Sequence, residues 1–214
     1  MKKSILNMHL EILDKKRQEL LDTLLPYVKD YVLGGGTALA LQLNHRKSFD
    51  FDFFASFPLT KSLLENISKA VLIHNVSVDT TDELTFFTKE GIKVTFLYYP
   101  FGDAFPNVTL ENGLKMFGVK DIAVKKAYVI GRRGEYRDYF DLYTILKNGL
   151  MDLQELISVT KKIYGSVFEE KIFLSQLVYF TDLTNLEIIP VSNEELPKPT
   201  DARIFFENLT KEYI

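Results

Sequence analysis

The sequence predicts an α+β protein, with strands confined to the first half and a mostly helical second half. Three observations carry this. Strand-like and helix-like segments interleave as far as residue 99. A stretch from Pro100 to Gly118, with Gly102, Pro106 and Gly113 inside it, interrupts both patterns. Beyond it apolar residues recur at helical spacing alone.

Taken in order, Ile5, Met8, Ile12, Leu20, Leu21, Leu24 and Leu25 outline an amphipathic helix over 5–25 that stops near Pro26. Tyr31-Val32-Leu33 is a buried strand running into three glycines, and Thr37 to Leu43 is a helix of good helix formers. Phe49 to Phe54 is a second strand, with Asp50 and Asp52 on one face and Phe49, Phe51 and Phe53 on the other. A helix over 61–72 follows. Three strands come next, at 75–79, 84–88 and 92–99, the last two joined through Lys89-Glu90-Gly91 as a hairpin. The interruption sets a domain boundary, giving a core of residues 1–115 and a helical domain of 116–214. Helices are expected over 120–131, 137–147, 152–164 and 168–180. Pro190, Pro197 and Pro199 mark an extended segment before a last helix over 201–212.

Composition narrows the function classes. In 214 residues, 46% are hydrophobic and 26% charged, which suits a folded core and excludes wholesale disorder. Cysteine is absent, so disulfides, thiolate zinc sites and cysteine nucleophiles are excluded. The net charge of -3 means that any contact with a polyanion is local. His9, Glu11, Asp14, Lys15, Lys16 and Arg17 interrupt the N-terminal apolar residues before signal-peptide length, and no window approaches a membrane span. The expected location is cytoplasmic, with no membrane partner.

The chemistry concentrates in Gly34-Gly35-Gly36-Thr37-Ala38-Leu39-Ala40-Leu41, Asn44-His45-Arg46-Lys47-Ser48 and Asp50-Phe51-Asp52-Phe53-Phe54. A glycine turn between strand and helix lets backbone N–H groups approach an anion, and the helix N-terminus adds partial positive charge. Two aspartates at i and i+2 on a strand repel one another unless a cation or donor lies between them. Mg²⁺ takes few carboxylates, together with phosphate oxygens and water. A phosphate cradle beside such a pair is what metal-assisted phosphoryl or nucleotidyl transfer requires. Each half alone is commonplace. Their proximity, and the phenylalanines that would make an unpaired buried carboxylate costly, give them weight together.

Gly-Gly-Thr-Ala-Leu-Ala-Leu, His-Arg-x-Ser and Asp-x-Asp-Phe-Phe resemble the AbiEii-type nucleotidyltransferases, toxins of type IV toxin–antitoxin systems within the DNA-polymerase-β-like nucleotidyltransferase superfamily. Asp121-Ile122-Ala123-Val124-Lys125-Lys126, Arg133, and Arg137-Asp138-Tyr139-Phe140-Asp141-Leu142-Tyr143 are similar to the family's second signature, and Tyr179-Phe180-Thr181-Asp182 also fits. The resemblance implies a polymerase-β-like core with a small mixed sheet carrying the active site, followed by a helical C-terminal half. It implies transfer of a nucleoside monophosphate from an NTP to an acceptor, either RNA (tRNA included) or protein, and a cognate antitoxin. Gly35, Gly36 and Thr37 would hold the triphosphate, with Arg46, Ser48 and Arg133 as further nucleotide contacts. Asp50 and Asp52 would hold Mg²⁺. Lys126 would neutralise phosphate charge, and Asp138 or Asp141 would orient it or act as the base.

The second signature has a reading of its own. Residues 120–137 carry six basic and two acidic side chains, a local +4 in an acidic chain. Alone this is a solvated helix; facing a triphosphate it is counter-charge. Lys126 and Arg133 share a face if the helix persists that far, as Asp138 and Asp141 do. The superfamily's third carboxylate is expected within Ile92-Lys93-Val94-Thr95-Phe96, where Thr95 stands instead. A hydroxyl is a weaker ligand and a feeble base, so a single-metal mechanism and a binding protein without catalysis both stay open, as does γ-phosphoryl transfer. Glu90 and Asp103 are the nearby substitutes in sequence. His45 is a loop histidine near a cap, or by the motif a contact to phosphate or base, while His9 and His74 are isolated. Tyr136, Tyr139 and Tyr143 recur at helical spacing as core or interface residues, and Phe86-Phe87 and Phe205-Phe206 are expected in the core.

Overall fold

The structure, a computed structural model, describes residues 8–193 and 195–214. It divides into two compact units. One runs to Gly102 and takes in Asn107–Phe117; the other comprises Asp103–Pro106 and Gly118–Ile214.

In the first unit the expected N-terminal helix is broken. A 3-10 turn spans Leu10–Ile12, and α1 spans Lys15–Leu24. Asp14 is the reason: its backbone is extended, and its carboxylate accepts the Arg17 amide at 3.0 Å as an N-cap. Pro26 lies in a second 3-10 turn, Leu25–Tyr27, that ends the element. Ile5 lies outside the described residues. Strand β1 (Val32–Gly34) leads directly into α2 (Gly35–Leu43), which starts two residues earlier than expected. Asn44 closes α2 in the left-handed conformation, a C-cap Asn tolerates.

Strands β2 (Phe51–Ala55), β3 (Ile73–Asp79), β4 (Glu83–Thr88) and β5 (Lys93–Tyr98) follow, with α3 (Ser62–Ser68) between β2 and β3. Two short strands, β6 (Val108–Thr109) and β7 (Lys115–Met116), lie within the loop-rich segment that interrupts both patterns. The sheet has seven strands in the order β3-β4-β5-β2-β1-β7-β6. The β2–β5 and β1–β7 pairs are parallel and the rest antiparallel, so the sheet is mixed. The fold class is the α+β architecture that the sequence implies.

Period-two alternation sorts the strand residues. Leu33, Phe53, Phe96 and Leu84 lie side by side in register on β1, β2, β5 and β4, and all four are buried. Phe96 stacks on Phe53 and Phe86 at 5.2 and 6.5 Å between centroids and meets Tyr31 edge-on. This row is the core face. The neighbouring row, on the opposite face, reads Gly34, Asp52, Thr95, Thr85.

The second unit is helical: α4 (Val119–Val129), α5 (Tyr136–Lys147), α6 (Leu153–Tyr164), α7 (Glu170–Leu177) and α8 (Pro199–Tyr213). Tyr136 and Tyr139 are buried in its core, where Phe180 meets both rings edge-on. Of the two Phe pairs, Phe86 and Phe206 are fully buried while Phe87 and Phe205 are half-buried. Helix α4 ends at Val129 because Ile130 leaves helical geometry and Gly131 takes a φ of 77°. The helix therefore does not persist to Arg133, and the shared helical face of Lys126 and Arg133 does not form.

Candidate functional site

The glycine run is specified residue by residue. Gly35 has a φ of +66°, where a side chain is strained, and a Cβ there would lie 2.5 Å from Asp52 Oδ2. A Cβ on Gly36 would collide with the Arg46 guanidinium and lie 3.1 Å from Ser48 Oγ. Gly34, the N-cap of α2, offers no side chain to the first-turn amides. The start of α2 thus presents backbone N–H groups with the carboxylate of Asp52 close on one side and the buried Arg46 on the other.

Thr37 fastens this turn to the aspartate segment. Its hydroxyl donates toward the Asp50 carbonyl and toward Ser48 Oγ, the latter at 2.9 Å. Arg17 Nε donates to the Phe49 carbonyl at 3.0 Å, and its guanidinium lies over the Phe49 ring. Asp50 is half-buried just ahead of β2, and Asp52 is half-buried within it, opposite Gly34 on one side and Thr95 on the other. The Phe residues alternate as expected, with Phe51 and Phe53 fully buried.

Thr95 stands in β5 directly across from Asp52 and is buried. On its far side Thr85 Oγ1 lies 3.3 Å from Thr95 Oγ1 and 2.7 Å from Glu83 Oε1. Glu83 and Thr85 stand two apart on β4, a spacing that meets Thr95 only through the register with β5. Glu90 is exposed in the β4–β5 turn, and Asp103 pairs with Lys125 in the second unit. Among the described residues no three His, Cys, Asp or Glu cluster to hold a metal. Mg²⁺ needs only one or two carboxylates besides phosphate oxygens, so the Asp50–Asp52 pair, with hard oxygen donors, fits it.

Lys126, Asp138, Asp141 and Arg133 form one ion cluster within the second unit. Lys126 Nζ lies 2.6 Å from Asp138 Oδ1 and 2.7 Å from Asp141 Oδ2, and all three residues are buried. Asp138 and Asp141, three apart on α5, both turn to this lysine. Arg133 adds a fork to Asp138, with Nε at 2.6 Å and Nη2 at 3.0 Å, while its own side chain stays largely exposed. Burial pushes the Asp138 carboxyl up, but the charges and hydrogen bonds of Lys126 and Arg133 outweigh it and hold the group below the usual range. Asp138 is accordingly a weak base at neutral pH.

The remaining candidates are peripheral to these clusters. His45 is half-buried in the loop after α2, His9 pairs with Glu11 at 2.9 Å, and His74 is exposed on β3. Tyr139 Oη donates to the Gln176 carbonyl, and Tyr143 packs edge-on against Phe205 and Phe206. No described helix is long and apolar enough to cross a membrane.

The family profile described as nucleotidyl transferase AbiEii toxin, type IV TA system, matches residues 19–203, and the chain belongs to that family. An uncharacterized protein of Aquifex aeolicus (strain VF5) is 32% identical over 213 residues, covering 94% of this chain and 98% of its own. Among solved structures, an H. pylori protein provisionally designated a nucleotidyltransferase superposes with a TM-score of 0.54 at 19% identity, covering 94% of this chain and 97% of its own, and shares the fold. A Megavirus polyadenylate synthase matches 64% of this chain and 32% of its own at 12% identity and a TM-score of 0.48.

Proposed function

We propose that the protein transfers a nucleoside monophosphate from an NTP to a hydroxyl of RNA, tRNA included, or of protein, with Mg²⁺, as the cytoplasmic toxin partner of a cognate antitoxin. The observation that carries this reading is the position of Asp52: its carboxylate lies against Gly35 at the uncapped start of α2, with Thr95 opposite. Backbone amides suited to a triphosphate and a carboxylate suited to a divalent ion are thereby fixed side by side.

Asp50 and Asp52 would hold Mg²⁺, which when bound supplies neutralising charge to the phosphate oxygens. The amides of Gly35, Gly36 and Thr37 bind the triphosphate, and the Arg46 guanidinium and Ser48 hydroxyl add donors beside Gly36. The acceptor oxygen bonds to the α-phosphorus, the bond from that phosphorus to the bridging oxygen breaks, and pyrophosphate leaves. A carboxylate of the Asp50–Asp52 pair takes the acceptor's proton, because Asp138 is held too acidic for that work. Within the second unit Lys126, Asp138 and Asp141 form a buried ion cluster, and Asp138 holds Arg133, whose guanidinium is suited to phosphate.

The test is an incubation with Mg²⁺, total tRNA or a protein extract, and each NTP labelled on the α- or on the γ-phosphate. Label from the α-phosphate alone is expected in the acceptor. Label from the γ-phosphate would replace the reading with a phosphotransferase. Nucleotide binding without transfer would favour a binding protein, the alternative that Thr95 in a carboxylate's place keeps specific.

A further inference from the structure

We propose that Arg17 is a positioning residue for Asp50, one of the two carboxylates offered to the metal, acting on it through the Phe49 carbonyl. The inference rests on the nucleotidyl-transfer reading of the Asp50–Asp52 pair and deepens it.

Asp50 stands outside the ladder that fixes its fellow aspartate. Asp52 lies within β2, in register with Gly34 on one side and Thr95 on the other, whereas Asp50 precedes Phe51, the first residue of that strand. Its backbone is anchored by two side chains, one from α1 and one from α2. Arg17 Nε donates to the Phe49 carbonyl at 3.0 Å, and the Thr37 hydroxyl donates toward the Asp50 carbonyl. The Phe49 carbonyl belongs to the planar peptide unit that enters the Asp50 Cα, and the Asp50 carbonyl to the unit that leaves it. The φ and ψ of Asp50 are the rotations of those two planes about its Cα. Anchoring both planes fixes the direction in which the Cβ, and the carboxylate beyond it, leaves the chain.

Arg17 is itself held from several sides. Asp14, the N-cap of α1, accepts the Arg17 amide at 3.0 Å through Oδ1, and its Oδ2 pairs with Nη1 of the guanidinium. The guanidinium carbon lies 4.8 Å from the centroid of the Phe49 ring. Nε and Nη1 donate in different directions from one rigid plane, so the pair with Asp14 and the contact with the ring leave Nε a defined direction. The Arg17 side chain is 19% exposed, and water therefore has limited access to these bonds. With Asp14 balancing its charge, Arg17 acts on Asp50 by geometry and not as a rival to the metal. Groups behind a ligand that orient it typically govern about tenfold or more in metal affinity or activity.

The experiment measures Mn²⁺ affinity of the full chain by electron paramagnetic resonance without nucleotide, beside steady-state transfer as a function of metal concentration. Arg17→Met is expected to weaken Mn²⁺ binding by about tenfold and to raise the metal concentration for half-maximal transfer by the same factor. Arg17→Lys keeps a charge and a donor without the fork, and is expected to recover part of the loss. Asp14→Ser preserves a cap on α1 while removing the ion pair. It is expected to weaken binding by about two- to fivefold, and it carries the test should Arg17→Met not fold. Gln18→Ala is the control: it removes bonds to the Leu10 and Leu13 carbonyls, away from the aspartate segment. It is expected to lower the melting temperature and leave Mn²⁺ affinity at the wild-type value, and an equal loss of affinity there would reduce Arg17 to a general support of α1. Circular dichroism melts establish that each variant is folded. If Arg17→Met and Asp14→Ser keep wild-type Mn²⁺ affinity and metal dependence while Asp50→Asn loses both, the positioning role is overturned and the transfer reading stands. If Asp50→Asn also keeps both, the two fall together.

Discussion

Lys126 is held between two carboxylates, 2.6 Å from Asp138 and 2.7 Å from Asp141, with hardly any of the three side chains exposed. Removing the cation would leave two buried acids short of their common partner. Lys126→Met is expected to destabilise the fold by about 3–5 kcal/mol, measured by denaturant unfolding. Lys126→Arg, longer and forked, is expected to recover only part of this.

The same cluster gives the protein an acid limit. The Asp138 pKa is lower folded than unfolded, so the unfolded chain binds the proton more readily. The stabilisation is complete well above the ordinary carboxylate value, about 3.9, and is lost as pH falls through the lower folded value. Unfolding free energy followed from pH 6 downward is expected to drop more steeply in the wild type than in Asp138→Asn.

Asp52→Asn and Asp50→Asn are expected to reduce transfer by about a hundredfold or more, since groups merely behind metal ligands already account for 10- to 100-fold. Neither residue contributes to the buried core row, so the melting transition is expected to survive. Transfer at the wild-type rate in both variants would remove the pair from the site.

Gly35→Ala attacks the turn through geometry. Forcing a side chain to a φ of +66° costs about 1–2 kcal/mol, and the new methyl would displace the Asp52 carboxylate. A loss of transfer larger than the loss of stability is expected. Gly91→Ala, in the β4–β5 turn at a φ of +79° with open space around it, provides the control, losing stability alone.

Tyr136 carries a buried hydroxyl without a hydrogen-bond partner. Burial, and secondarily Tyr143 and Asp201, push its ionisation up to about 12. The fold favours the neutral phenol, so its share of stability is present below the unfolded value of roughly 10 and is lost as pH rises through the folded value. Tyr136→Phe removes an unpaired polar atom without opening a cavity. It is expected to leave the melting temperature unchanged or raised, and to lessen the alkaline loss of stability.

Local chemistry was legible in the sequence. The glycine turn, the second strand and the β4–β5 hairpin each depend on residues within a few positions, and the structure builds all three, although the strand begins at Phe51 and leaves Phe49 and Asp50 ahead of it. Features that depend on pairing were not. Strands β6 and β7 are two residues each, too short to display alternation, and exist because Met116 finds Leu33. The contact of Thr85 with Thr95 needs the β4–β5 register. The sequence leaves Asp138 and Asp141 with two roles, orienting or acting as base, because helical spacing cannot show that α4 and α5 turn those side chains and Lys126 toward each other. Arg133 reaches Asp138 from beyond the end of α4, which a face count along one helix does not anticipate.

The return of Asn107–Phe117 to the first unit bears on how the chain can be dissected. A fragment ending at Gly102 would strip β1 of its parallel neighbour. It would also lose the Phe117 amide that donates to the Leu33 carbonyl and the Phe117 carbonyl that accepts from Gln42 of α2. Those bonds brace the strand and helix on either side of the glycines. A stretch that resembles a tether is therefore a clasp, and a cut made there would loosen the very turn on which nucleotide recognition is proposed to depend.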